Sequence, residues 1–151
     1  MDYFVSGWGT GGTITGCGDV LKSARPDIII VGAEPEAAAM LSGNDWAPHK
    51  IQGWTPDFIP EVLNPDVIDK LVPIKDEDAI EVAQQLATRE GIFCGISSGA
   101  TMKAALILAE NAPADSTFCV ILPDTGERYL STPLFENISE DSDDDWLAQQ
   151  R

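Results

Sequence analysis

Apolar and polar positions alternate along this chain in blocks that predict strands and helices in turn. Tyr3-Phe4-Val5 is a short apolar run that ends at a cluster of glycines. Ile14 to Ala24 reads as a helix carrying Val20 and Leu21, stopped by Pro26. Ile28 to Val31 is an uninterrupted β-branched run, as expected of a strand covered on both faces. Residues 42–65 are rich in Gly, Pro, Asn and Trp and predict a long loop, the kind of connection that tends to carry function. Asp76 to Glu90 is the clearest helix. Ile80, Val82, Ala83, Leu86 and Ala87 form its apolar face, acids fill its first turn, and Gly91 can end it. Ile92-Phe93-Cys94 is a short strand candidate. Ala100 to Glu110 is apolar nearly all round and predicts a buried helix, and Phe118 to Leu122 is a further strand that stops at Pro123. Buried strands alternating with helices predict an α/β fold on a parallel twisted sheet.

Composition narrows the class. At 151 residues, 44% hydrophobic and 23% charged, the chain is the size and make-up of one globular domain. Its formal net charge of -16 opposes binding to nucleic-acid phosphates or to anionic lipid. No apolar run approaches the roughly 20 residues that span a bilayer, and the N-terminus shows no secretory pattern, so a cytoplasmic protein is expected. Cys17, Cys94 and Cys119 lie far apart and form no Cys-x-x-Cys pair, which predicts reduced core cysteines and no metal site. Residues 136–151 hold Glu136, Glu140, Asp141, Asp143, Asp144 and Asp145 against Arg151, a net of -5. They read as an acidic, solvated tail behind a body spanning residues 1–135.

The strongest chemical signal is Gly7-Trp8-Gly9-Thr10-Gly11-Gly12-Thr13, between a predicted strand and a predicted helix. Free N–H groups and the positive dipole end of a helix favour an anion, and glycine lets the backbone come close to it. Three readings of the loop stand side by side. It could be a tight turn with no ligand. It could be a dinucleotide site, since Gly7, Gly9 and Gly12 satisfy G-x-G-x-x-G and Glu34 stands where a ribose-binding acid would be. It could hold the phosphate of another cofactor. A P-loop is excluded, because no Gly-Lys-Ser/Thr follows.

A resemblance favours the third. Gly9 to Thr13 resembles the cofactor-phosphate loop of the pyridoxal-phosphate β-family (fold type II). Pro48 to Gly53 with Phe58-Ile59-Pro60 resembles that family's active-site loop. Gly95 to Ala100 resembles its pyridine-nitrogen site, and Gly126 to Ser131 its C-terminal signature. The blocks occur in order over residues 3–135 and are similar to cysteine synthase (O-acetylserine sulfhydrylase). The resemblance implies pyridoxal 5'-phosphate as cofactor, held by Gly9, Thr10, Gly11, Gly12, Thr13 and Ser97, with Gly53 beside the substrate. Ser97 would then bond the pyridine nitrogen; read alone, it is equally a helix N-cap. The implied reaction is β-replacement of acetate in O-acetylserine by sulfide, giving L-cysteine. The implied partners are those two substrates, serine acetyltransferase and a second copy of the chain.

The sequence departs from the family in two places. Trp54-Thr55-Pro56-Asp57 stands where many relatives have a small, glycine-rich stretch, and proline there stiffens the loop. The family also places a cofactor-bearing lysine, in a Ser-x-Lys context, upstream of the glycine loop. None of Lys22, Lys50, Lys70, Lys75 and Lys103 has that context, so no catalytic residue is assigned and the chain resembles a C-terminal half, inactive alone. His49, the only histidine, is expected to be structural. Asp124 follows a predicted strand and could point into the site, without an assigned role. A non-catalytic binding module that keeps the fold is the alternative from another class.

Overall fold

The structure, a computed structural model, describes residues 1–136, 138, 147 and 148. Four parallel strands form one sheet in the order β3-β2-β1-β4: β1 Tyr3–Gly7, β2 Ile29–Pro35, β3 Lys70–Ile74 and β4 Phe118–Val120. Three helices accompany it: α1 Gly12–Ala24, α2 Asp76–Glu90 and α3 Ile96–Ala109.

The side-chain period of two along the strands assigns the layers. Tyr3, Val5, Val31, Ala33, Val72 and Ile74 turn to one face and bury against Ala100, Ala104 and Ala105 of α3. Phe4, Ile28 and Ile30 turn to the other face with Ile14, Cys17 and Leu21 of α1. Helix α2 stacks outside α3. The two come close because Gly99 has no side chain: a Cβ there would meet the Ala79 carbonyl oxygen and lie 2.7 Å from the Ala83 nitrogen. Helix α2 matches its expected bounds and ends at Gly91, which adopts the left-handed conformation (φ 69°) suited to glycine.

Several expectations are corrected. Strand β3 is not visible as a strand in the sequence, since Pro73 interrupts a run of five residues. It is an edge strand, where a proline is tolerated. Ile92 and Phe93 form no strand; both are exposed, and only Cys94 makes an isolated antiparallel bridge, to Thr125. Helix α3 begins four residues earlier than expected, and it is not buried all round, because Leu106 and Ile107 face outward. Strand β4 is an edge strand of three residues. Its Cys119 is exposed, since α1 lies over β1 and β2, so only Cys94 of the three cysteines is fully buried. The long loop is confirmed as irregular between residues 42 and 64, yet Ile51, Trp54, Thr55 and Leu63 within it are buried. The proposed acidic tail lies almost wholly outside the described residues.

Among the described residues no helix is long and apolar enough to cross a membrane, and no group of His, Cys, Asp and Glu is placed to hold a metal ion.

Candidate cofactor site

From β1 the chain runs through α1 to β2 on one side, while β4 joins β1 on the other. That reversal is the topological switch point, where open α/β sheets bind ligands beyond the carboxyl ends of their strands. A cleft of about 490 Å³ lies there, lined by Ser6 and Gly7 at the end of β1, Gly9, Thr10 and Thr13 beyond it, and Ile121 to Asp124 after β4. Ser97 of α3 and Gln52, Gly53 and Trp54 of the long loop complete it. Its size is in the ordinary range for a cofactor pocket.

The glycines form the cleft by what they omit. A Cβ on Gly9 would run into the Gly53 carbonyl, and one on Gly7 into the Trp54 ring. Gly11 precedes α1 in the left-handed conformation (φ 85°), with Leu63 packed against it at 2.6 Å from where a Cβ would be. No side chain caps α1 and no acid occupies its first turn, so its leading N–H groups have no side-chain acceptor. Uncapped amides, two threonine hydroxyls and no opposing carboxylate in the loop fit a bound phosphate group.

Of the residues expected to form the site, Gly9, Thr10, Thr13, Gly53 and Ser97 line this one cleft. Gly11 and Gly12 shape the loop behind it. Ser97 is buried within the first turn of α3, whose N-cap is Gly95, so the capping explanation for Ser97 does not hold. Glu34 is fully buried and does not line the cleft. It accepts hydrogen bonds from the amides of Leu41 (3.1 Å) and Ser42 (3.0 Å) and from the Ser42 hydroxyl. A ribose-binding role is therefore not open to it, which removes the support for a dinucleotide site. His49 sits beside the Thr55 carbonyl oxygen (Nε2 at 3.5 Å), away from the cleft lining. None of the five lysines lines the cleft. Lys22 pairs with Asp69, Lys103 lies 3.7 Å from Asp78, and Lys70 sits over the Tyr3 ring.

Among the described residues Asp124 is the one charged residue of the lining. Its Oδ2 accepts a hydrogen bond from the Tyr129 hydroxyl at 2.7 Å, and its Oδ1 is buried without a partner. Burial, reinforced by that carboxylate, pushes the Tyr129 phenol up to about 12. Gly95 provides the space: a Cβ there would meet both the Asp124 carboxylate and the Tyr129 ring. The pair thus packs directly under the turn that carries Ser97. Burial likewise pushes the Cys94 thiol up, keeping it protonated. Ser6, Gln52 and Trp54 received no role from the sequence; the only signal available was their adjacency to a glycine loop or to a strand end.

Known proteins resemble this chain in sequence and in fold. A family model described as "Pyridoxal-phosphate dependent enzyme" matches residues 1–124. The chain is 52% identical over 148 residues to an O-ureido-L-serine synthase of Streptomyces lavendulae, covering 98% of this chain and 46% of that protein. It is 46% identical over 135 residues to a cysteine synthase of Staphylococcus aureus, covering 89% of this chain and 44% of that one. Among solved structures, an O-ureido-L-serine synthase superposes with a TM-score of 0.93 at 52% identity, over 98% of this chain and 47% of the other. An O-acetylserine sulfhydrylase isoform of Entamoeba histolytica gives 0.87 at 40% identity, over 99% and 45%. The chain spans about half the length of these relatives. These likenesses show that the chain belongs to the pyridoxal-phosphate dependent enzyme family, on the fold of its type II members.

Proposed function

We propose that this chain forms the phosphate-binding and ring-binding side of an enzyme that replaces the β-substituent of an activated serine. The preferred reaction is that of cysteine synthase: O-acetylserine and sulfide give L-cysteine and acetate. The observation that carries the reading is the meeting of the Gly9–Thr13 loop, Ser97 and Gly53 in one cleft.

The uncapped amides of α1 and the hydroxyls of Thr10 and Thr13 would hold the cofactor phosphate. Ser97 would face the ring nitrogen. When bound, pyridoxal phosphate supplies an electron sink for the charge left as the substrate loses its α-proton. A neutral serine at the nitrogen suits elimination and replacement, where a good leaving group departs early. Gly53, at φ 83° with open space where a side chain would stand, leaves room for substrate. The lysine that carries the cofactor and moves the proton is assigned to residues outside these 151, since none of the five lysines present lines the cleft. Serine acetyltransferase and a second copy of the chain are the proposed partners of the complete enzyme, and the cytoplasm its proposed location.

A second reading follows from the 52% identity to the O-ureido-L-serine synthase. Its product name places a ureido oxygen on the serine β-carbon, so the nucleophile there would be an N-hydroxyurea oxygen in place of sulfide. The two readings share the cleft and differ in the entering group.

Thermal unfolding with added ligand tests the common part. Pyridoxal phosphate and inorganic phosphate should each raise the melting temperature, and NAD should do no more than phosphate. Stabilisation by NAD alone would overturn the assignment. With O-acetylserine, sulfide and cofactor supplied, the 151 residues alone should form no cysteine above the uncatalysed background.

A further inference from the structure

A second cavity of about 490 Å³ adjoins the cleft and has no part in holding the cofactor phosphate or ring. It is lined by Trp54, Pro56, Phe58, Pro60 and Val62, and it shares Gly9, Thr10, Gly53 and Trp54 with the cleft. Among the described residues its lining holds no charged group, and apart from the Trp54 indole only Thr10 contributes a polar side-chain atom. Two spaces of opposite character thus meet at one aromatic wall.

That wall is fixed. The Trp54 ring fills the space beside Gly7 and is 8% exposed. The next residue, Thr55, has φ 40°, a left-handed conformation that is strained for a β-branched residue. It is held there by its amide, which donates to the Trp8 carbonyl at 3.0 Å, and by its carbonyl, which accepts from the Trp46 indole at 3.0 Å. Backbone strain kept by surrounding contacts is the kind that serves a site. Here it turns Trp54 inward and leaves Pro56 and Phe58 on the far side, as the walls of the alcove.

We infer that this alcove is a subsite for the body of an entering group larger than sulfide, and that it takes a neutral aromatic thiol of benzyl size. The inference rests on the replacement reaction proposed above. A molecule with a polar reacting end and an apolar body matches the paired spaces, with its sulfur at Gly53 and its ring between Trp54, Pro56 and Phe58. The lining, apolar but for Thr10 and the Trp54 indole among the described residues, offers an anionic body no charged partner. In the overall exchange the Cβ–O bond of O-acetylserine breaks and a Cβ–S bond forms. The thiol proton is released and acetate leaves, giving an S-substituted cysteine. Trp54 is thereby the specificity-determining residue of the entering group. The concave shape, joined to the cleft through shared residues, fits a small molecule better than a flat protein face.

The test uses the chain itself, labelled with ¹⁵N, and benzyl alcohol, an unreactive stand-in for the thiol. Amide shifts should cluster at Gly9, Thr10, Gly53, Trp54 and Phe58. Val62→Asp and Phe58→Asp, both at exposed positions, should each weaken binding at least tenfold while leaving the fold, by circular dichroism, and the phosphate-induced shifts of residues 9–13 intact. Shifts that scatter over the surface, or binding that survives both substitutions, would overturn the subsite. Localised benzyl alcohol binding without any phosphate response would support the alcove and count against the cofactor loop, so the two readings fail separately.

Discussion

Gly9 shows how much of the site depends on a missing atom. Its absent side chain is the condition for the loop to lie against the Gly53 carbonyl, which is backbone and cannot rotate aside. Gly9→Ala should therefore displace the loop and abolish phosphate-dependent stabilisation, as read by thermal unfolding. Tyr129 makes a different case. Among the described residues its hydroxyl is the only hydrogen-bond partner of the Asp124 carboxylate, so Tyr129→Phe should cost about 1–3 kcal/mol in denaturant unfolding. The same pair sets a pH dependence. The folded-state phenol, at about 12, titrates above its ordinary value of 10, so folding favours the protonated form. Its contribution is complete below pH 10 and is lost as pH rises from 10 to 12. Unfolding measured across that window should show a decline in stability that Tyr129→Phe flattens.

At the scale of elements, the close approach of α2 and α3 hangs on Gly99. Gly99→Ala forces the first turn of α3, and Ser97 with it, away from Ala79 and Ala83. Overpacking of this kind costs typically 1–3 kcal/mol, and the change should also weaken cofactor binding, which separates it from a substitution that only destabilises. The same contact explains what was legible in the chain. Helices α1 and α2 declare themselves through local signals: a glycine or acidic start, an apolar stripe and a glycine or proline stop. The start of α3 does not, because Ser97-Ser98-Gly99 looks like a loop until α2 is placed against it. Strand β3 is hidden for a similar reason, since only its edge position makes Pro73 acceptable. That the glycine loop and Ser97 belong together was readable from motif order, and they meet in one cleft. The part played by Glu34 was not, because its partners Leu41 and Ser42 come from a turn that local pattern leaves open. Asp124 and Trp54 were visible as residues, but their roles depend on the pairing of β4 with β1 and on the path of a loop without periodicity.

For the molecule as a whole, an acidic chain is assigned an anionic cofactor. The two are compatible because the proposed binding groups are amides and hydroxyls at a switch point, where local dipoles and not net charge set the potential. Raising the ionic strength should therefore change cofactor affinity only weakly, in contrast to sites built on exposed Lys and Arg. The most direct test of the central claim is calorimetric titration of the chain with pyridoxine 5'-phosphate, which has no aldehyde to react with surface lysines. Binding that inorganic phosphate displaces, that falls at least tenfold for pyridoxine lacking the phosphate, and that disappears in Gly9→Ala is the predicted result. Equal affinity for pyridoxine and its phosphate, or binding retained in Gly9→Ala, would contradict it.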